Sequence, residues 1–389
     1  MFFVLSLNKN NVYCFRGCDD MITPKHLTKK IKGDYRIIVI SDIHGHLDRF
    51  CSLLKKVEYT SDDYLVILGD FVEKGDQVIE TIHYIQQLSQ NKNVFVLAGN
   101  CEWALDALLT VPELSSSIPQ YLKRVSANGC IREVYHKLHL DDGRETMLGI
   151  QKQIAQYLSD EIHFISHLPV TLKINDFLFV HAGIERRKDY QKSSLSSLLE
   201  MQHFYDYGHI LDETVIVGHL PTSNYFSDCI CNDIIIDEQK KIICIDGGTG
   251  VKSISQLNAL IIENKNGVIT YQKEYVQPLP EYQVIKSIVH KQDKIHKIGY
   301  PYFEVVVEKV GKQFSFCFQK ETNQRLWIKN EFLYSRDGKL YCLDDYTDYM
   351  ICVNEGEYVH LIGIYDQYAY VIYKGQVGWL KLCYLCINS

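Results

Sequence analysis

Long hydrophobic runs are missing from this sequence, as is any strong excess of one charge. No run of about 18 apolar residues exists, so no segment is expected to cross a membrane as a helix. The apolar start MFFVL has no basic residue before it, which does not fit a secretory signal. The net charge of −7 comes from well-mixed charges, which argues against a general nucleic-acid-binding or membrane-binding surface.

The cysteines show no disulfide framework. There are 13 of them, an odd number, and they are scattered along the chain. Buried free thiols in a reducing compartment are therefore the favoured interpretation, and we expect a cytoplasmic protein. At 389 residues the chain is too long for one typical hydrophobic core, so we expect two or three domains.

Short apolar runs alternate with helix-like stretches from residue 36 to residue 262. The runs are rich in β-branched residues and are bounded by Gly, Asp or Asn, which is typical of buried strands. This pattern predicts an α/β fold with the strands at its centre. A mostly helical insert is expected at residues 103–166. The predicted strands are Ile37–Ile40, Tyr64–Leu68, Val94–Ala98, Phe177–Val180, Val215–Val217, Ile234–Ile236, Ile242–Ile245 and Leu257–Ile262.

Polar clusters follow five of these runs, at the strand ends where α/β sheets present ligand sites. They read SDIHG, GDFVEKG, GNCE, HAG and GHLP. Imidazole and hard oxygen donors of this kind suit Mn, Fe or Zn better than Ca. Six donors are too many for one catalytic metal with an open position, but they suffice for two ions that share a bridging carboxylate. The six residues are Asp42, His44, Asp70, Asn100, His181 and His219.

A pair of metal ions would give this site a specific chemistry. Two ions about 3.5–4 Å apart clamp a phosphate and lower the pKa of a bridging water. The resulting hydroxide attacks phosphorus in line, opposite the leaving alkoxide, without a covalent enzyme intermediate. The sequence therefore predicts two metals, which could support this attack on a phosphate.

These motifs, in this order, resemble those of the calcineurin-like metallophosphoesterases, and most of all the phosphoprotein phosphatase (PPP) group. The family pattern is GD-x-HG, GD-x-VDRG, GNHE, HAG or HGG, and GHTP, and the resemblance covers about residues 35–265. It implies a mixed β-sandwich flanked by helices. It also implies that Asp42 and His44 bind the first metal, that Asp70 bridges both, and that the second is bound by Asn100, His181 and His219.

Three positions depart from the family pattern. Cys101 replaces the His that is thought to assist proton transfer to the leaving group, and a thiol is not poised for that task as imidazole is. Glu73 replaces the Asp that partners this His, and Lys74 replaces an Arg that grips phosphate with two prongs. Arg186 and Arg187 are candidates for a second phosphate contact, and a solvated loop is an equal alternative.

The C-terminal third has a different texture, dense in Tyr, Val and Phe and without helical patterns. Similar segments begin at Trp327 and Trp379, each preceded by two alternating runs, which indicates one supersecondary unit used twice. The last unit resembles a bacterial SH3-type barrel. We therefore expect an N-terminal extension at 1–34, a catalytic domain at 35–270, and small all-β SH3-like repeats at 275–334 and 335–389. Protein or peptide binding is the favoured role of these repeats, and a structural appendage is the alternative.

Three functions follow from these patterns. The leading prediction is a phosphoesterase similar to Ser/Thr phosphoprotein phosphatases, with two divalent ions, Mn before Fe or Zn. The first alternative is a hydrolase of dinucleoside polyphosphates of the diadenosine tetraphosphate type. The second is a non-catalytic phosphatase fold that recruits partners through its C-terminal repeats, an interpretation favoured by Cys101 and Lys74. Retention of all six donors argues against it, because buried polar ligands are costly to keep without metal.

Overall fold

The structure is a computed structural model that describes residues 4–7, 13–16, 24–124, 129–289 and 295–387. The chain forms two compact units. The first comprises Met1–Leu220, Ile234–Val251 and Leu257–Val276, and the second comprises Pro221–Asp233, Lys252–Gln256 and Gln277–Ser389. Within the described ranges, no helix has the length and apolar character needed to cross a membrane.

The first unit contains the strands and helices that the apolar runs predict. Its strands are β1 (Val4–Leu7), β2 (Tyr13–Arg16), β3 (His26–Lys29), β4 (Tyr35–Ile40), β5 (Tyr64–Ile67), β6 (Val94–Val96), β7 (Thr171–Ile174), β8 (Phe177–Val180), β9 (Thr214–Val217), β10 (Ile235–Asp237), β11 (Ile242–Cys244), β12 (Leu257–Lys265) and β13 (Val268–Val276). Its helices are α1 (Leu47–Lys56), α2 (Val78–Leu88), α3 (Asn100–Thr110), α4 (Ile118–Arg124), α5 (Cys130–Lys137), α6 (Met147–Tyr157), α7 (Ser159–Ile165), α8 (Leu195–Glu200) and α9 (Phe204–Tyr207), with short 3-10 helices at Pro112–Ser117 and Tyr190–Lys192.

Two mixed sheets form the framework of the first unit. One has five strands in the order β13-β12-β4-β5-β6, and the other has six in the order β10-β11-β9-β8-β7-β3. Strands β4, β5 and β6 are parallel, as are β8 and β9, so their carboxyl ends lie at one edge of each sheet. The α/β class with mixed sheets is therefore confirmed.

Alternation along β4 divides the core of the first unit into two layers. Ile37 and Val39 belong to one buried cluster, which includes Phe179 of the six-stranded sheet. Ile38 and Ile40 point the other way, into a cluster that contains Phe50 of α1. Because successive strand side chains alternate between faces, one strand supplies both the layer between the sheets and the layer beneath the helices.

The N-terminal residues contribute strands to this unit. Strand β1 pairs with β2 in an antiparallel hairpin, and β3 joins the edge of the six-stranded sheet beside β7. The predicted extension at 1–34 thus contains an edge strand of the sandwich. Residues 1–3, 8–12 and 17–23 of that extension lie outside the described residues.

The second unit is built mainly of strands. They are β14 (Glu281–Gln283), β15 (Lys297–Ile298), β16 (Glu304–Lys309), β17 (Phe314–Gln319), β18 (Gln324–Lys329), β19 (Leu333–Arg336), β20 (Lys339–Cys342), β21 (Tyr346–Thr347), β22 (Tyr358–Tyr365), β23 (Tyr368–Tyr373) and β24 (Gln376–Lys381), with 3-10 helices at Thr222–Tyr225, Asn330–Phe332 and Leu382–Tyr384. The sheet orders are β18-β17-β16-β20-β19, β14-β22-β23-β24 and β15-β21. An all-β C-terminal region is therefore present, while its division into SH3-like repeats stays a prediction.

The described cysteines are free thiols in several environments. Cys101, Cys130 and Cys244 are buried in the first unit. The stretch CYLC places Cys383 and Cys386 three residues apart, and both are exposed. The predicted burial therefore applies to only part of the set.

Candidate active site

Backbone geometry brings the predicted donors to one place in the first unit. Asp42 and His44 follow β4, Asp70 follows β5, and His181 and His219 follow β8 and β9. Asn100 is the first residue of α3. Parallel strands end at a common edge, so residues far apart in sequence meet there.

Several of these donors adopt backbone conformations that are unusual for side-chain-bearing residues. Positive φ angles occur at Asp42 (56°), His44 (47°), Asp70 (52°) and His219 (65°). Such left-handed residues are sparsely populated and cluster at functional sites, where the surrounding structure holds them. A glycine is also required at position 99, because a Cβ there would lie 2.2 Å from Asp70 Oδ1.

The carboxylate of Asp70 lies at the centre of the donor set. His44 Nε2 is 3.7 Å from its Oδ2, and His181 Nε2 is 3.5 Å from its Oδ1. Two groups of potential metal-binding atoms share this residue, one with His44 and Cys101 and the other with Asp42 and His181. A carboxylate with one oxygen toward each group is what a bridging ligand requires.

Asn100 and His219 complete the set. Asn100 Oδ1 lies 3.2 Å from His181 Nε2 and 2.9 Å from His219 Nδ1. The backbone N–H of His219 donates to Asp42 Oδ2 at 3.0 Å, which ties the end of β9 to the end of β4. All six predicted donors therefore converge on one site.

Hydrogen bonds to main-chain carbonyls fix the tautomers of two of the histidines. His44 Nδ1 donates to Val72 O at 3.1 Å, and His181 Nδ1 donates to Leu68 O at 2.8 Å. Each ring therefore directs its Nε2 toward Asp70. This is the usual way in which a second hydrogen bond orients a metal-binding imidazole.

The electrostatics of the site suit cations. Burial, followed by the charge of Asp70, raises the pKa of Asp42 to about 8. Burial lowers the pKa of both His44 and His219 to about 3, so these imidazoles are neutral donors. Burial alone would raise the pKa of Asp70. Nearby His181, His44 and Lys74 lower this pKa by more than burial raises it, so the net change is downward. Neutral imidazoles around crowded buried carboxylates fit divalent metal ions.

Glu102 supports the site, although sequence reasoning did not single it out. Its carboxylate accepts backbone N–H groups of Gly99, Asp70, Phe71 and Val72, at 2.7 to 3.0 Å. The side chain is fully buried, and burial followed by the Asp70 charge raises its pKa to about 7. Glu102 thus binds together the two loops that carry Asp70 and Asn100, and the E of GNCE was the signal for it.

Asp246, in the IDGG segment, is a second supporting residue. It is 1% exposed, its Oδ1 accepts the Gly248 N–H at 2.7 Å, and its Oδ2 has no hydrogen-bond partner among the described residues. Burial and the charge of Asp42 raise its pKa well above the usual range. The following Gly250 packs on His44 and Lys74, where a Cβ would approach His44 Cβ to 2.8 Å.

Two of the positions that depart from the family pattern bond to different partners. The Cys101 thiol donates to Asp70 Oδ2 at 3.1 Å, and its pKa is raised well above the usual range by burial and by Asp70. Glu73 instead accepts a short hydrogen bond from the hydroxyl of Tyr121 in α4. The resemblance pairs positions 73 and 101, but these two side chains are hydrogen-bonded elsewhere.

The predicted phosphate-binding cations occupy different surroundings. Lys74 Nζ lies 3.0 Å from His44 Nε2, at the donor set. Burial alone would lower the pKa of Lys74. Cys101, Asp70 and other nearby acidic groups raise this pKa by more than burial lowers it, so the net change is upward. Arg187 forms ion pairs with Glu185 and Asp189. Arg186 is exposed and donates weakly to Tyr207 O at 3.4 Å.

Comparison with known families identifies the first unit. Residues 35–247 match the calcineurin-like phosphoesterase family, which is more than half of the chain. The chain belongs to this family. The match includes all six predicted donors, so the prediction of a metallophosphoesterase is confirmed at the level of the family, whose members use divalent metals.

Individual relatives are distant. A segment of 68 residues is 37% identical to the serine/threonine-protein phosphatase PP1-delta of Caenorhabditis elegans, and it covers 17% of this chain and 22% of that protein. The chain thus matches about a fifth of the length of this curated relative.

Solved structures similar to this chain include one described as a diadenosine tetraphosphatase, with 17% identity, a TM-score of 0.42, and coverage of 64% of this chain and 98% of that one. A serine/threonine phosphatase from Saccharomyces cerevisiae is 13% identical with a TM-score of 0.41, and the match covers 66% of this chain and 85% of that one.

Proposed function

We propose that this protein hydrolyses phosphoesters with two divalent metal ions bound by Asp42, His44, Asp70, Asn100, His181 and His219. The observation that carries this proposal is the position of Asp70, whose two oxygens face separate groups of buried donors. Bound divalent ions would supply Lewis-acid activation of water and of the phosphoryl group.

The chain's own residues then have distinct tasks. Asp70 sets the spacing of the two groups of donors, while Val72 O and Leu68 O hold the His44 and His181 rings in the metal-binding tautomer. Lys74, beside His44, offers a positive charge to a phosphoryl oxygen. Arg186 and Arg187 stay candidates for a further contact with substrate from the loop after β8.

A phosphorylated serine or threonine side chain of a protein is the proposed substrate. The 37% identity to a serine/threonine-protein phosphatase over 68 residues supports this choice. A dinucleoside polyphosphate is the alternative, since the insert of α3 to α7 would cap the site for a small substrate. Manganese and a cytoplasmic location are parts of the same proposal.

Turnover by the Mn-loaded protein would test this function. The substrates are a phosphoserine peptide, diadenosine tetraphosphate and a small aryl phosphate, and the control variant is Asp70→Asn. We expect phosphate release from the peptide and a loss of about a hundredfold or more in the variant, because both groups of donors lose their shared carboxylate. Cys101→Ala should lose less.

Each other outcome contradicts a specific part of the proposal. Cleavage of the dinucleotide alone would replace the phosphoprotein with a nucleotide substrate. Two bound metals without turnover of any substrate would favour the non-catalytic scaffold. Activity that survives Asp70→Asn unchanged would rule out this site.

We further propose that the second unit binds a peptide. It contains a cavity of about 710 Å³ lined by Phe314, Trp327, Tyr346, Tyr368 and Trp379, with Lys312, Gln313 and Asp348 among its polar lining residues. Aromatic walls with a few polar groups are typical of ligand sites of this volume.

Selection of random peptides on the full-length protein would test this role. Peptides enriched on the wild type should lose binding to Trp327→Ala, which removes a cavity wall. They should keep binding to Tyr334→Ala, because Tyr334 is similarly exposed but stacks on Tyr341 and is not a lining residue. No enrichment, or equal losses in the two variants, would contradict the proposal.

A further inference from the structure

Cys101 is the one donor at the site that belongs to the soft class of metal ligands. Its Sγ is grouped with His44 and Asp70, and the ligand atoms of these three residues all lie within 4.8 Å of one another. It is 7% exposed, so its environment is nearly closed to solvent. The resemblance assigns this position to proton transfer and not to metal binding.

The contacts of the thiol direct it into the donor set. Sγ is 3.1 Å from Asp70 Oδ2, the same oxygen that lies 3.7 Å from His44 Nε2. Zinc bonds of about 2.0–2.3 Å to N, O and S donors give ligand-to-ligand separations of about 3–4 Å, and both distances fall within that range. The position of the thiol therefore matches that of a ligand.

Two nearby hydrogen bonds fix the position of Sγ at the start of α3. Cys101 is the second residue of α3, where the positive end of the helix dipole acts. The Asn100 amide Nδ2 donates to Sγ at 3.6 Å, and the Cys101 N–H donates to Asp70 Oδ1 at 2.9 Å. The second bond fixes the Cys101 backbone against the central carboxylate.

We propose that Cys101 is a thiolate ligand, together with His44 and Asp70, of one of the two metal ions, and that this position therefore prefers Zn²⁺ over Mn²⁺. The inference rests on the proposed two-metal function and replaces manganese with zinc at one of its two positions. On binding, the sulphur–metal bond forms as the S–H bond breaks, and the proton leaves to the buffer. Thiolate donors select zinc, whereas oxygen-rich donor sets suit manganese.

Cobalt substitution gives a readout that does not depend on turnover. Co²⁺ bound to a thiolate shows sulphur-to-cobalt charge-transfer absorption in the near ultraviolet. The full-length chain would be used with the exposed Cys383 and Cys386 replaced by Ser, so that these thiols do not contribute. We expect this absorption to saturate at one equivalent of thiolate-bound Co²⁺, and to vanish in Cys101→Ser.

Cys130→Ser is the matched control. Cys130 is also buried and also lies in the first turn of a helix, α5, but it is not in either group of donor atoms. Its variant should keep the charge-transfer absorption. In parallel, Cys101→Ser should lower Zn²⁺ affinity about tenfold or more, at least as much as loss of a supporting residue, and Mn²⁺ affinity by much less.

The outcomes separate this inference from the proposed function. Binding of two Co²⁺ ions without the absorption, or absorption that persists in Cys101→Ser, would overturn the thiolate ligand. Turnover without the absorption would leave the phosphoesterase standing and remove only this inference. The absorption without turnover of any substrate would support the ligand and contradict the proposed function. A failure to bind Co²⁺ would overturn both.

Discussion

At the scale of single residues, the pairing of Glu73 with Tyr121 distinguishes this site from the pattern it resembles. Glu73 has a positive φ of 68° and is buried, and its carboxylate turns toward α4 to accept the Tyr121 hydroxyl. Cys101 bonds to Asp70 instead. The altered residues at positions 73 and 101 therefore serve separate contacts, one with the helical insert and one with the metal donors.

The protonation of Glu73 should affect stability. Burial raises its pKa from 4.5 to about 7. Between these values the folded state keeps a proton that the unfolded state has released, so stability falls as pH rises from about 4.5 to about 7. We expect the free energy of unfolding of the wild type to fall by up to about 3 kcal/mol across this pH range, and we expect this fall to be absent in Glu73→Gln. The measurement is the free energy of unfolding of the chelator-treated proteins at each pH.

Glu80→Gln is the control for this experiment, because Glu80 is an exposed residue of α2. It should follow the wild-type pH dependence. If Glu73→Gln also follows the wild type, the buried carboxyl of Glu73 does not hold its proton in the folded state.

At the scale of elements, loops after strands determine the geometry of the site. The loop from Asp246 to Gly250 follows β11 and packs on the residues after β4 and β5. Gly250 has a φ of 71°, and its Cα faces the side chains of His44 and Lys74. The loop thus limits how far the His44 ring can move.

Gly250→Ala should therefore weaken metal binding. An added Cβ would lie 2.8 Å from His44 Cβ, and the positive φ adds a conformational cost of about 1 kcal/mol or more. We expect about a tenfold loss of metal affinity in a calorimetric titration, comparable to loss of a supporting residue.

Gly267→Ala separates the clash from the conformational cost. Gly267 has a φ of 80° but nothing within 4 Å of its added Cβ. This variant should lose only the stability that the conformational cost accounts for, and it should keep its metal affinity. Equal affinities in the two variants would show that the loop does not position His44.

At the scale of the whole molecule, the two units are interleaved along the sequence. Residues 221–233 and 252–256 lie within the predicted catalytic range but belong to the second unit. Within that unit, Val377 N donates to Ile230 O at 2.8 Å, and Lys252 Nζ lies 3.0 Å from each oxygen of Asp345. The second unit is therefore completed by segments that precede the C-terminal third.

Lys252→Ala should destabilise the protein strongly. The side chains of Lys252 and Asp345 are only 8% and 5% exposed, so removal of one charge leaves the other buried without its ion-pair partner. We expect a loss of about 3 kcal/mol or more in urea unfolding.

The exposed pair of Lys339 and Glu304, also in the second unit, provides the comparison. Its side chains are 57% and 40% exposed, so Lys339→Ala should cost much less stability than Lys252→Ala. Similar losses in the two variants would indicate that Lys252 does not anchor its segment.

The sequence by itself predicted the strands and the metal donors, because both depend on short-range signals. Short apolar, β-branched runs bounded by Gly, Asp or Asn locate β4, β5, β8 and β9, and each donor motif follows a strand within a few residues. The shared edge of parallel strands then brings Asp42 and His181 together without knowledge of the packing between the sheets.

Only the tertiary structure decided what surrounds those donors. Tyr121 reaches Glu73 through the packing of the helical insert, and Asp246 approaches Asp42 from the loop after β11. The interleaving of the units and the aromatic cavity likewise depend on contacts between segments that are far apart in the chain. Such contacts are set by how whole elements pack, and local residue patterns carry little information about that packing.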